Sequence, residues 1–144
     1  MMEGVMSPPA ASPVVLAVLD DSERSALVKL SLAGRGWEVV RAHSCEQARV
    51  RAVDQPVDAL LTDLVLTDGS AFGLLRSLPM RPPVTAVLTW GDAVDMHDRI
   101  LTAGFDLHLV RPISGEDIDR ALRDALRARS ADPLATLRHR RVAI

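Results

Sequence analysis

The sequence has a single cysteine, Cys45, so it cannot form an internal disulfide and does not require an oxidising compartment. It also lacks an apolar run close to the roughly 20 residues that a membrane-spanning helix needs. Residues 1–13 have no basic stretch of the kind that begins a signal peptide. These absences favour a cytoplasmic protein that does not contact a membrane.

Charge of either sign is not in large excess, since the net charge is −2. This gives no overall electrostatic case for binding nucleic acid or a membrane surface. Lysine is scarce, because Lys29 is the only lysine among 17 basic residues. With abundant alanine, this bias is typical of a GC-rich bacterial genome. The 144 residues are 48% hydrophobic and 25% charged, which suits one domain with a substantial core.

Several short apolar runs end on polar or charged side chains. A nearly continuous run of this kind predicts a strand that is buried on both faces of a parallel sheet. The carboxyl ends of parallel strands meet at one edge, where chemistry collects. The runs and the residues that follow them are 14–19 before Asp20 and Asp21, 57–62 before Asp63, 84–88 before Thr89, and 107–110 before Arg111.

Helix signals separate these runs. Ser22 is the predicted N-cap of a first helix, in which Leu27 and Leu30 recur at helical spacing. Ser44 and Gln47 have the spacing of a capping box and predict the start of a second helix.

Three further helices are expected. A short helix follows the Asp68-Gly69 turn, one with Ile100 and Leu101 inward spans Gly91 to Ala103, and a last one begins after Ser114. The alternation of strands and helices predicts a doubly wound parallel sheet. Residues 14–128 form the predicted domain. Residues 1–13, rich in Pro, Ala and Ser, are expected to be disordered, and residues 129–144 form a basic tail.

The chain resembles the receiver domain of bacterial two-component response regulators. The resemblance covers residues 14–128 and depends on several motifs in the right order. They are Leu19-Asp20-Asp21-Ser22, Thr62-Asp63-Leu64-Val65-Leu66, Asp68-Gly69, Leu88-Thr89, Ala103-Gly104 and Leu109-Val110-Arg111-Pro112. It implies an α/β, flavodoxin-like fold: a doubly wound five-stranded parallel sheet of order 2-1-3-4-5, with helices on both faces.

The resemblance also assigns roles. Asp63 would accept a phosphoryl group from a histidine kinase. Asp21 and Asp63 would bind Mg²⁺ together with the backbone carbonyl of Val65, while Asp20 would hold the metal through water. Thr89 would grip the phosphoryl oxygens and carry the signal outward.

The chemistry explains why acids and a cation would gather there. A carboxylate can attack phosphorus to give an acyl phosphate, but an anion must then approach another anion. Mg²⁺ prefers oxygen ligands and can bridge carboxylate and phosphate. Clustered carboxylates without a cation would repel one another, so the acid cluster implies a metal.

The three main departures from the family pattern are at positions 90, 108 and 111. Arg111 replaces the usual lysine, and its planar fork could pair with Asp63 or point elsewhere. His108 replaces the usual aromatic switch residue, so it could give a pH-sensitive switch or be an ordinary strand histidine. Trp90, which flanks the phosphorylation pocket, could narrow access to it, pack on the sheet or contact a partner.

The predicted function is a single-domain receiver, not an enzyme acting on other substrates, that signals through protein contacts. Its partners would be a sensor histidine kinase or phosphotransfer protein and a downstream protein target. A homodimer would form through the face made by the fourth helix, fifth strand and fifth helix. No DNA-binding domain is expected, because about 16 residues follow residue 128.

Two alternatives remain at this point. A pseudo-receiver would use the same fold as a phosphorylation-independent interaction or dimerisation module, and Arg111, His108 and Trp90 motivate it. A phosphatase with an aspartate nucleophile is disfavoured. Such enzymes commonly have a second acid two residues after the nucleophile, where this chain has Val65.

Overall fold

The computed structural model describes residues 11–91 and 93–131. Its main sheet has five parallel strands, which are β1 (Val14–Val18), β2 (Glu38–Ala42), β3 (Ala59–Asp63), β6 (Val84–Trp90) and β7 (Leu107–Arg111). Their order is β2-β1-β3-β6-β7. Counted within this sheet alone the order is 2-1-3-4-5, so the predicted doubly wound fold is confirmed. After β3, the two-residue strands β4 (Val65–Leu66) and β5 (Gly69–Ser70) form an antiparallel pair.

Helices connect the strands and cover both faces of the sheet. They are α1 (Ser22–Ala33), α2 (Cys45–Asp54), α3 (Ala71–Ser77), α4 (His97–Thr102), which a 3₁₀ turn at Ala93–Met96 precedes, and α5 (Gly115–Ala131). Alternate strand residues point to opposite faces. Leu16 and Leu60 therefore pack in the core beneath α2, α3 and α4. Val15 and Leu61 pack in the core beneath α1 and α5.

The helix starts follow the cap signals, with one correction. Ser44 accepts a hydrogen bond from the Gln47 N–H at 3.1 Å, so the predicted cap of α2 is confirmed. Ser114 accepts one from the Asp117 N–H at 3.0 Å at the start of α5. The N-cap of α1, however, is Asp21 and not Ser22, because Asp21 Oδ1 accepts the Arg24 N–H.

The predicted inward face of α1 is wrong. Leu27 and Leu30 are 63% and 72% exposed, whereas Ser25 and Leu32 are fully buried. The buried stripe includes a polar residue because the Ser25 hydroxyl accepts a hydrogen bond from Arg41 Nε at 2.8 Å. In α4, Ile100 is buried as predicted, but Leu101 is 40% exposed.

No helix within residues 11–91 and 93–131 is long and apolar enough to cross a membrane. Residues 1–10, Asp92 and residues 132–144 lie outside the described part of the chain. Most of the predicted N-terminal segment and most of the basic tail therefore lie outside it as well.

Candidate functional site

The sheet brings the predicted site residues to one edge. Asp63 ends β3 and is paired in register with Leu88 of β6. One residue further along β6, Thr89 is opposite Val110 of β7, and Trp90 is opposite Arg111. Asp20 follows β1, the strand on the other side of β3. This convergence follows from the parallel order of the strands, as the sequence predicts.

Asp63 is the buried carboxylate at the centre of this edge, with 6% of its surface exposed. Arg111 Nη2 donates to Asp63 Oδ1 at 2.9 Å. Arg24 contacts both oxygens, with Nη1 3.5 Å from Oδ1 and Nη2 3.4 Å from Oδ2. The backbone N–H of Asp20 also donates to Oδ2 at 3.3 Å. Both oxygens of the predicted acceptor thus face positive charge or an N–H donor.

Arg24 is a site residue that the sequence analysis missed. Its guanidinium also lies 3.4 Å from Asp20 Oδ1 and 3.8 Å from Asp21 Oδ2. The spacing could have revealed it, because helix residues three and four apart lie on one face. Arg24 stands three residues after Asp21 and four after Asp20. Its backbone N–H, by donating to the cap, lowers the pKa of Asp21.

Arg111 turns towards Asp63, which is one of the two orientations that the sequence left open. Its guanidinium carbon lies 5.2 Å from the centre of the Trp90 ring, within the range of a cation–π contact. The Arg111 side chain is 10% exposed, whereas Trp90 is 59% exposed. Trp90 therefore covers the arginine and leaves most of its own ring in solvent.

Thr89 is hydrogen-bonded to His108. Its Oγ1 lies 2.5 Å from His108 Nε2, and His108 Nδ1 lies 2.9 Å from His97 Nδ1. Burial and the neighbouring His97 lower the pKa of His108. A neutral imidazole has one donor and one acceptor nitrogen, so it can connect the Thr89 hydroxyl to the second ring. Sequence spacing gave no signal for this pairing of two rings.

Asp68 holds the loop after Asp63 to the start of α2. Its two carboxylate oxygens accept the N–H groups of Cys45 at 2.7 Å and Glu46 at 3.1 Å. These hydrogen bonds lower the pKa of Asp68. The sequence predicted only a turn at Asp68-Gly69. The structure adds a helix-capping contact that fixes the loop beside the acceptor.

The acids do not fit Mg²⁺ as they lie in this structure. Their carboxylate oxygens are the donors that this ion prefers. Within the described residues, however, no three acidic, histidine or cysteine side chains are placed to hold a metal ion. The Arg24 guanidinium bridges Asp20, Asp21 and Asp63 instead. Val65, the predicted fourth ligand through its carbonyl, lies in β4, and its role stays a prediction.

The comparisons with known proteins agree with the fold and the motifs, although no family model matches the chain. The chain is 36% identical over 120 residues to the probable transcriptional regulatory protein TcrX of Mycobacterium tuberculosis, a match covering 80% of this chain and 50% of TcrX. It is 32% identical over 122 residues to the transcriptional regulatory protein TrcR of the same organism, covering 83% and 48%. A CheY-like response regulator receiver domain protein from Methanospirillum hungatei superimposes with a TM-score of 0.76 at 21% identity, covering 83% of this chain and 98% of that one.

These likenesses confirm the recognition made from the motifs: the chain is a response regulator receiver domain. Receiver domains of this kind are signalling domains. The chain spans about half the length of the curated relatives it matches.

The prediction that output takes place without a DNA-binding domain is wrong. It was made because few residues follow residue 128. TcrX and TrcR are transcriptional regulators, and the chain matches only about half of each. The shortness of the tail therefore does not exclude output through DNA.

Proposed function

We propose that this receiver domain accepts a phosphoryl group on Asp63 from a histidine kinase of a two-component system. The observation that carries the proposal is the position of Asp63. It is a buried carboxylate at the carboxyl end of a central strand, flanked by two acids and held by two arginines. The proposal includes a bacterial origin and a cytoplasmic location for the protein.

The reaction needs a nucleophile and a neighbouring positive charge. An Asp63 oxygen attacks phosphorus, the new oxygen–phosphorus bond forms, and the bond from phosphorus to the donor's histidine nitrogen breaks. The electron pair of that bond leaves with the histidine. Arg111, already 2.9 Å from Asp63 Oδ1, would neutralise the charge that the transferred group brings.

Thr89 and His108 would report the change. The Thr89 hydroxyl is hydrogen-bonded to His108, and moving it towards a phosphoryl oxygen would rearrange this contact. Such a change between two arrangements is how a modification biases a two-state element. The family resemblance implies Mg²⁺ for this reaction and assigns Asp20, Asp21 and Asp63 to the ion.

The test is phosphoryl incorporation from acetyl phosphate, measured by intact mass. With MgCl₂ present we expect the unaltered chain to gain one phosphoryl group and Asp63→Asn to gain none. Asp54→Asn, at an exposed position at the end of α2, is the matched control and should gain the group. No mass gain by the folded, unaltered chain would contradict the proposal.

The contacts of Asp63 also favour a second candidate, the pseudo-receiver. Both acceptor oxygens are already engaged by guanidinium groups, and a large ring covers one of these groups. A site closed in this way suits an interaction module that needs no phosphorylation. The same measurement separates the candidates, because a pseudo-receiver gains no phosphoryl group under any of these conditions.

A further inference from the structure

We infer that Arg24 is a built-in counter-ion of the acidic site, which a divalent cation must displace before it can bind. The inference rests on the proposed function only in taking Asp63 as the acceptor. Two findings disagree and motivate the inference. The family resemblance implies a metal ion among the acids, whereas the structure has a guanidinium there. Arg24 contacts Asp20, Asp21 and Asp63, the three residues that the family resemblance assigns to a metal.

Arg24 balances part of the negative charge of the acidic site. Three carboxylates lie around two guanidinium groups, those of Arg24 and Arg111, which leaves one net negative charge. Without Arg24 the excess would be two negative charges. Like charges at this distance repel one another, so the resting site needs this guanidinium as a counter-charge.

The Arg24 guanidinium reaches all three carboxylates at once. Arg24 uses three nitrogens on three carboxylates: Nη2 contacts Asp20 and Asp63, Nη1 also contacts Asp63, and Nε contacts Asp21. Only a planar fork spans the site in this way. Asp21 Oδ1 is in addition fixed by the Arg24 N–H at the start of α1. A cation shared by these acids would need the same oxygens.

Arg24 is more accessible to solvent than Arg111. The Arg24 side chain is 29% exposed, whereas that of Arg111 is 10% exposed. Arg24 also lies on the first turn of α1, and its guanidinium contacts are long, at 3.4–3.8 Å, compared with 2.9 Å for Arg111. Arg24 is therefore the guanidinium that can leave, while Arg111 stays on Asp63.

The test is Mg²⁺ binding measured by isothermal titration calorimetry, without a phosphodonor. We expect Arg24→Gln to bind Mg²⁺ about tenfold more tightly than the unaltered chain, because a competing charge is removed. Arg120→Gln is the matched control. It makes the same charge change on α5, where Arg120 is 62% exposed and pairs with Glu116 and Asp117. Its affinity should equal that of the unaltered chain.

Thermal unfolding gives a second readout. MgCl₂ should raise the Tm of Arg24→Gln by more than it raises that of the unaltered chain or Arg120→Gln. If Arg24→Gln does not fold without the ion, MgCl₂ should restore its circular dichroism spectrum. Equal affinities in all three proteins, loss of binding by folded Arg24→Gln, or failure of MgCl₂ to restore an unfolded variant would each overturn the inference. Failed phosphorylation of Asp63 would affect none of these readouts.

Discussion

Two carboxylates in this molecule are each paired with an arginine that lies over a tryptophan ring. Asp119 of α5 accepts from Arg123 Nε at 2.7 Å, and the Arg123 guanidinium carbon lies 5.1 Å from the centre of Trp37. Asp63 accepts from Arg111 at 2.9 Å, with Trp90 at 5.2 Å. The same three residue types make both clusters, yet their surroundings differ.

The difference is in the ring and in the surplus charge. Trp37 is 3% exposed, and its indole N–H donates to Asp119 Oδ1 at 2.8 Å, so that cluster is closed. Trp90 is 59% exposed, and Asp63 is surrounded by Asp20, Asp21 and a second arginine. The Asp119 cluster therefore anchors a helix, whereas the Asp63 cluster retains a surplus negative charge and an exposed ring.

The largest expected effect separates the two rings. Trp37→Ala should lower the free energy of unfolding by about 3–5 kcal/mol, the range for removing a large buried ring. Trp90→Ala should cost about 0.5–1 kcal/mol, the range for an exposed cation–π contact. Urea unfolding followed by circular dichroism measures both. Equal losses would show that the clusters do not differ in the way that their burial indicates.

Much of the fold could be predicted because its central strands are buried on both faces. β1 is a continuous apolar run, and β3 is apolar until it ends on Thr62 and Asp63. Runs of this kind with polar ends give both the sheet and the location of the site. Cap signals are local, and those of Ser44 and Ser114 are confirmed, although Asp21 replaces Ser22 as the cap of α1. The prediction of the buried face of α1 was wrong because this face contains Ser25, whose burial depends on a distant partner, Arg41.

The site was only partly predictable, because some of its contacts also depend on partners that are distant in the sequence. Strand ends place Asp63, Thr89 and Arg111 by topology alone. The spacing of Arg24 from Asp20 and Asp21 allows a contact with both acids. No other sequence feature indicated that the Arg24 side chain would adopt this orientation. The stacking of His97 on His108, with ring centres 5.2 Å apart, depends on how α4 packs on β7, and no sequence pattern reports this.

A smaller effect tests whether Asp119 is held as a charged anchor. Burial would raise the pKa of Asp119, but the hydrogen bonds from Trp37 and Arg123 outweigh it and lower this pKa. A lowered pKa in the folded state means that the stabilisation is present above the ordinary value of about 3.9. It is lost as pH falls below that value through the folded pKa.

Trp37→Phe removes the indole donor and should cost about 1 kcal/mol at neutral pH. The difference between this variant and the unaltered chain should shrink as pH falls below about 4, because protonated Asp119 no longer gains from the donor. Urea unfolding across this pH range measures it. A difference that stays constant with pH would show that Asp119 is not held as an anion by Trp37.

The smallest expected effect concerns His97 and His108, the ring pair that contacts Thr89. The Asp119 cluster has no comparable pair. Because burial and then His97 lower the pKa of His108, His97→Gln should raise that pKa but leave it below the ordinary value. NMR titration of the His108 ring protons measures this pKa. His43→Gln is the control, because the His43 ring contacts the Leu19 carbonyl and not His108.

The effect of His108 on stability follows from its lowered pKa. The unfolded chain binds the proton first, so stability falls as pH drops from about 6.5 to the folded pKa. His97→Gln should weaken this loss. An unchanged pKa would show that the His97 ring does not lower the pKa of His108.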